Sequence, residues 1–231
     1  MSVERRSVAD AVELRSSPGR HPVIRGYAAV FNQWTTLAES DSYVVRERIL
    51  PGAFNNALRE RQDVRALFNH DPSLLLGRTT AGTCRLSVDA HGLAYEVDSS
   101  PASAYRQTVI YLERKEVTGS SFGFKVRKGG VSVERRQEAG TDRTIVEREL
   151  SDLDLFDVSP VTYPAYVGTD VALRSGSPDA VAMLVRRFQT EALDARIDAL
   201  LQSELVRRGR DVDARLRRLE ALDASLEAAG Y

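Results

Sequence analysis

The chain has 231 residues, 42% of them hydrophobic and 28% charged, a composition that suits a folded protein and excludes a disordered or collagen-like one. Its 32 Lys+Arg against 33 Asp+Glu leave a net charge of −1, so the basic excess expected of a dedicated nucleic-acid binder is missing. Cys84 is the single cysteine and His21, His70 and His91 the only histidines, which excludes an internal disulfide and a multi-cysteine zinc site and disfavours a His-rich metal cluster.

Residues 1–21 are polar, contain Ser16-Ser17-Pro18-Gly19, and read as a flexible N-terminal arm. The charges Glu4, Arg5, Arg6, Asp10 and Glu13 are incompatible with a signal peptide, and no apolar run is long enough for a membrane helix; a soluble, intracellular protein is expected. Strand candidates follow at Val23–Phe31, Tyr43–Leu50, Val64–Phe68, Thr83–Val88 and Leu93–Val97, rich in apolar and β-branched residues. The stretch 32–42, with Trp34, reads as a surface loop between the first two. Pro51-Gly52 ends the second strand, and Pro51 suits the start of a helix over Asn55–Arg61. Ala102–Arg114 is a second helix with Tyr105, Val109 and Leu112 on one face. Val117–Val126 is a strand interrupted by glycine, Gly129-Gly130 a turn, and Val131–Arg135 and Thr144–Leu150 continue the sheet. Residues 161–176, with Pro164, Gly168 and Gly176, read as loop.

From Asp179 to Gly230 proline is absent and Ala, Leu, Arg, Asp and Glu dominate. Apolar residues recur at helical spacing at Val181, Leu184 and Phe188, then at Leu193, Ile197, Leu200 and Leu201, then from Val212 through Leu216, Leu219 and Leu222 to Leu226. The expected organisation is an arm (1–21), a folded domain (22–176) and an amphipathic helical tail (177–231) that packs on the domain, self-associates or meets a helical partner.

Three segments of the domain carry reactive side chains. His70 follows an apolar strand in Asn69-His70-Asp71-Pro72, where the strand gives way to a loop at the rim of a sheet and an imidazole can move a proton or the segment can simply cap a turn. In Gly119-Ser120-Ser121-Phe122-Gly123-Phe124, strand alternation sets Ser121 and Gly123 opposite two aromatics. Glycine inside a strand is costly unless some group must approach closely, so Ser121 is either an accessible nucleophile or an idle serine. In Asp152-Leu153-Asp154-Leu155-Phe156-Asp157, alternation puts Asp157 on the inward face of Leu153 and Leu155, where a carboxylate needs a partner such as His70. Phosphate-loop, dinucleotide, zinc-protease and G-x-S-x-G signatures are absent.

Taken in order, Arg25-Gly26-Tyr27-Ala28-Ala29-Val30-Phe31, Leu50-Pro51-Gly52-Ala53-Phe54, Asn69-His70-Asp71 with Leu76-Gly77-Arg78, the Ser121 segment and Asp157-Val158-Ser159-Pro160-Val161-Thr162-Tyr163-Pro164-Ala165-Tyr166 resemble the prohead (procapsid maturation) proteases of tailed bacteriophages, which are similar in turn to the herpesvirus assemblins. The resemblance runs over about residues 23–174 and includes Gly168-Thr169. It implies an α+β fold built on a closed or nearly closed assemblin-like β-barrel surrounded by helices, followed by the helical tail. It also implies a serine endopeptidase with Ser121 as nucleophile, His70 as general base and Asp157 as third member, Asp154 being the fallback. The arginine pair that lines the assemblin oxyanion hole corresponds to Ala165 and Tyr166, so the oxyanion donors stay unassigned; backbone N–H groups of the 162–169 loop are one source. The partners implied are the major capsid protein and a scaffold protein or delta segment as substrates, the enzyme itself at self-cleavage sites, and further copies in a homo-oligomer. The implied location is the procapsid in the bacterial host cytoplasm, and no cofactor, metal, nucleic acid or membrane is expected. Two alternatives remain: a catalytically inactive capsid-assembly or scaffold protein on the same fold, and an esterase using the same three residues.

Overall fold

A computed structural model describes residues 3–9, 11–15, 22–98, 100–163 and 181–194, together with 196–197, 199–201, 203–204 and 206–207. The strands, in chain order, are β1 (Glu4–Val8), β2 (Val12–Arg15), β3 (Val23–Val30), β4 (Thr35–Glu39), β5 (Tyr43–Ile49), β6 (Arg65–Phe68), β7 (Asp71–Arg78), β8 (Cys84–Val88), β9 (Gly92–Val97), β10 (Gly119–Val126), β11 (Val131–Gln137), β12 (Thr144–Leu150) and β13 (Leu153–Val161). Helix α1 (Asn55–Arg59) follows β5 and α2 (Ser103–Glu113) follows β9. A third helix, α3, is described from 181 and is helical at every described position through 207. The fold is mixed α+β and rich in sheet. Its strands form three sheets, in the orders β1-β10-β13-β6-β7, β11-β12-β5-β4 and β2-β3-β9-β8.

Three segments differ from the sequence reading. Residues 4–8 and 12–15, expected in a flexible arm, are strands paired to β10 and β3. Their polarity misleads because β1 meets its neighbours through buried ion pairs instead of apolar contacts. The expected loop 32–42 contains β4, antiparallel to β5. Trp34 there receives the guanidinium groups of Arg46 and Arg48 over its ring at 4.7 and 4.5 Å. The chain after His70 is the strand β7, which pairs with β6.

Alternation on β5 shows how the sequence builds its sheet. Val45, Glu47 and Ile49 turn inward while Arg46 and Arg48 turn outward and bind Glu147 and Glu149, their register partners on the parallel strand β12. The main core joins Phe31, Phe54, Phe122 and Phe124, with Phe54 edge-on to Phe122 at 5.6 Å and Phe122 stacked on Phe124 at 4.9 Å. A smaller core forms where Val181, Leu184, Val185 and Phe188 of α3 cover Leu37, Ala38, Val45 and Val146. These are the first apolar positions of the predicted tail stripe. The next ones, Leu193, Ile197, Leu200 and Leu201, are exposed, and the stripe from Val212 to Leu226 lies outside the described residues.

Between this helix and β1 lies a buried ion cluster. Arg148 of β12 is fully buried and bonds Glu191 at 2.8 Å, Glu4 at 3.1 Å and Glu47. Arg6 bonds Glu47 at 2.7 Å and Glu4 at 3.0 Å, while Arg187 reaches Glu4 at 2.7 Å. Burial alone would raise the Glu4 carboxyl, but Arg148, Arg6 and Arg187 outweigh it and hold the group below the usual carboxylate range. A carboxyl depressed by folding contributes stability that is complete above its unfolded value, about 4.3 for glutamate, and is lost as the pH falls through its lower folded value. Urea unfolding at pH 7 and at pH 3 is therefore expected to show a lower midpoint in acid, and Glu4→Gln is expected to shrink that difference.

Candidate active site

His70 owes its position to a tight turn. Phe68 of β6 pairs with Asp71 of β7, so Asn69 and His70 form a two-residue hairpin loop, and both have positive φ (53° and 59°). That is the backbone of a type I′ turn, which asparagine and histidine enter at lower cost than bulkier residues. The strain is held by Asn69. Its N–H donates to the Pro160 carbonyl at 3.0 Å, its side-chain NH₂ donates to Thr162 Oγ1 at 2.6 Å, and its side-chain oxygen accepts from the Thr162 N–H at 2.9 Å. The turn chemistry and the reactive position that the sequence left open are thus one feature.

The imidazole of His70, 7% exposed, bridges two side chains. Nδ1 is hydrogen-bonded to Asp157 Oδ2, and Nε2 lies 2.6 Å from Ser121 Oγ. A carboxylate only accepts, so Nδ1 carries the proton in that bond and Nε2 of the neutral ring is left to accept from the serine hydroxyl. Asp157 reaches this face through an irregularity. Gly123 pairs with Asp157 while the next residue, Phe124, pairs with Leu155, which makes Phe156 the extra residue of a β-bulge. The bulge reverses the alternation that had placed Asp157 with Leu153 and Leu155. Those two leucines stay in the core with Phe122, Phe124 and Val158, and Asp157 turns to the side of Ser121.

Gly123 supplies the space. A Cβ there would stand 2.4 Å from Asp157 Oδ1, so the close approach that justifies glycine inside this strand is that of the carboxylate. Asp154, the fallback, is engaged elsewhere: Arg127 Nε donates to it at 2.7 Å and Gln62 at 2.5 Å.

Ser159 was not singled out from sequence. It is fully buried, its Oγ donates to Asp157 Oδ2 at 2.9 Å, and it pairs across the ladder with Ser121. Its signal was present as the alternate position after Asp157, on the same face once the bulge is passed. Ser121 itself is also fully buried, and its Oγ donates to the carbonyl of Arg6 on β1 at 2.8 Å.

The remaining candidates fall away from this cluster. His91 sits in the turn closed by Asp89 and packs edge-on against Tyr27 at 4.5 Å; His21 lies outside the described residues. Burial pushes the Cys84 thiol up to about 12, so it has little thiolate character at neutral pH. Ala165, Tyr166, Gly168 and Thr169 lie outside the described residues, which include Thr162 and Tyr163 of the proposed oxyanion loop. A hydroxyl, an imidazole and a carboxylate linked in this order can pass a proton from the hydroxyl to the ring, the arrangement that makes a serine nucleophilic.

The sequence profile of the caudovirus prohead serine proteases matches residues 10–183, a span that contains His70, Ser121 and Asp157. No curated protein and no solved structure matches the chain.

Gly123→Ala is expected to force the Asp157 carboxylate aside. Overpacking of this kind costs about 1–3 kcal/mol, so the variant should still fold. It should lose the downfield proton resonance of His70 Nδ1–H in the NMR spectrum; a resonance kept unchanged would show that the contact does not depend on glycine.

Proposed function

Because the chain belongs to the caudovirus prohead serine protease family, and so to the serine proteases of capsid maturation, we propose that Ser121, His70 and Asp157 carry out its peptide hydrolysis as nucleophile, general base and orienting acid. The observation that supports this most is the imidazole of His70 engaged at both nitrogens, with Asp157 on one side and Ser121 on the other. Ser121 Oγ attacks the scissile carbonyl as His70 Nε2 takes its proton. The imidazolium, favoured by Asp157, then protonates the leaving amine, and water releases the acyl group by the same route in reverse. Ser159, bonded to Asp157 Oδ2, helps fix the carboxylate.

The family implies capsid-related protein substrates and a location in the procapsid within the host. The specific substrates we propose are the major capsid protein and a scaffold protein or delta segment, followed by self-cleavage. The exposed leucines of α3 support a homo-oligomer or a contact with a helical scaffold. We also read the three sheets as parts of one nearly closed barrel of the assemblin kind. The parallel bridge from Phe31 to Ile49 and the packing of β1 and β10 against β3 support that closure. The reading of an inert capsid-assembly protein gains from the burial of Ser121 but gives no reason for the pairing of His70 with Asp157.

Coexpression with a tailed-phage major capsid protein, followed by intact mass, tests the proposal. Trimming of the capsid protein is expected with the wild type and is expected to be absent with Ser121→Ala and His70→Ala, each costing on the order of 10⁶ in kcat. Asp157→Ala should cost less, on the order of 10⁴, while Asp154→Ala should stay near the wild type. Equal trimming by wild type and Ser121→Ala would refute the assignment.

A further inference from the structure

The nucleophile strand has two neighbours. One edge of β10 is taken by β13, which brings Asp157 and Ser159; the other is taken by β1, antiparallel, with Ser7 directly opposite Ser121 and Arg6 opposite Phe122. β1 is the edge strand of the sheet. An extended peptide reaching Ser121 by strand addition would need the edge that β1 fills. Two consequences of that occupancy are visible. Ser121 has no exposed surface, and its hydroxyl, which has a single proton to give, faces the Arg6 carbonyl at 2.8 Å as well as His70 Nε2 at 2.6 Å. While the proton is donated to Arg6, it is not donated to the base.

What holds β1 there lies on the other side of the strand. Glu4 and Arg6 enter the ion cluster of three glutamates (Glu4, Glu47, Glu191) and three arginines (Arg6, Arg148, Arg187). Two of the six, the half-exposed Arg187 and the buried Glu191, belong to α3, so the first strand of the chain and its last described helix share one set of ion pairs. Both pieces fall largely outside the family match: β1 ends at Val8 and α3 is described from 181, against a matched span of 10–183. The segment that covers the serine and the helix that secures it thus lie largely outside the matched span.

We propose that β1 is an intramolecular occupant of the peptide-binding edge of β10, and that the Arg148 cluster is a latch by which α3 keeps it there. The chain as described is then a closed form of the enzyme. Whatever lifts α3, or draws Glu191 and Arg187 away from Arg148 and Glu4, frees β1 and opens the edge to a substrate strand. This inference rests on the reading of Ser121 as the nucleophile.

Two readouts on the full chain test it. Amide hydrogen exchange over residues 4–8 reports the strand itself, whatever chemistry Ser121 performs. The rate at which a small fluorophosphonate adds to Ser121, displacing fluoride, reports access to the hydroxyl, with Ser121→Ala correcting for label elsewhere. In the wild type, residues 4–8 should be protected and labelling slow. Glu191→Gln, which removes a charged hydrogen bond from Arg148, should speed both by on the order of 10- to 100-fold while protection of β3 and β9 stays intact. Arg187→Ala, at a half-exposed position, should act in the same direction with smaller effect, and it decides the matter if Glu191→Gln does not fold. Unchanged protection of residues 4–8 in the folded variants overturns the latch. Faster exchange with labelling of Ser121 still at the wild-type rate overturns the role of β1 as a cover. Faster exchange with no adduct on Ser121 in any variant overturns the nucleophile assignment and the proposal with it, and the released exchange tells that failure from a failed latch.

Discussion

Everything in the candidate site turns on one imidazole held at both nitrogens in a position where it has almost no freedom. His70 occupies the second place of a two-residue hairpin loop with positive φ, a conformation that a side-chain-bearing residue adopts only when its surroundings insist. The surroundings here are the neighbouring strand end: Asn69 is tied by hydrogen bonds to Pro160 and Thr162, just past Ser159 on β13. His70 is therefore fixed by the strand that supplies Asp157, and the register of one sheet sets both distances. A slip of one residue between β10 and β13 would put Asp157 and Ser159 on the face opposite Ser121.

The second constraint is electrostatic. Arg148 is wholly buried, and a buried guanidinium is tolerable only when its donors are matched. Glu4, Glu47 and Glu191 match them, and in doing so they tie together strands β1, β5 and β12 and helix α3. Cutting one member out of such a group costs about 3–5 kcal/mol in comparable cases, because a buried charge is left unpaired. Cohesion between the N-terminal strand and the C-terminal helix is thus concentrated in a few ion pairs, beside the smaller core around Phe188.

Much of this was legible in the residues. Strand periodicity located β3, β5, β9, β10 and β12, and the alternation around Ser121 predicted the side on which the serine lies. The glycine at 123 announced a close approach without saying of what; the answer, a carboxylate oxygen, requires the partner strand. Asp157 was found with its partner but for an incomplete reason. Its face is set by a bulge, and a bulge is a property of two paired strands that neither sequence displays alone. The N-terminal strand was missed because Glu4-Arg5-Arg6 looks solvated, and only the arrival of Arg148 and Glu47 from residues far along the chain makes those charges interior. Ser159 stands at the alternate position after Asp157, but only the bulge and the bond it donates to the carboxylate give that position a meaning.

In the mechanism we propose, Ser121, activated by His70, forms a covalent acyl intermediate. Its most direct test is to mix the purified chain with a small activated ester, quench in acid, and map the acyl group by peptide mass. A single acylated site at Ser121 is expected, lost in Ser121→Ala and formed far more slowly in His70→Ala. Acylation of a different side chain, or an acyl group on Ser121 that forms equally fast without His70, would contradict it.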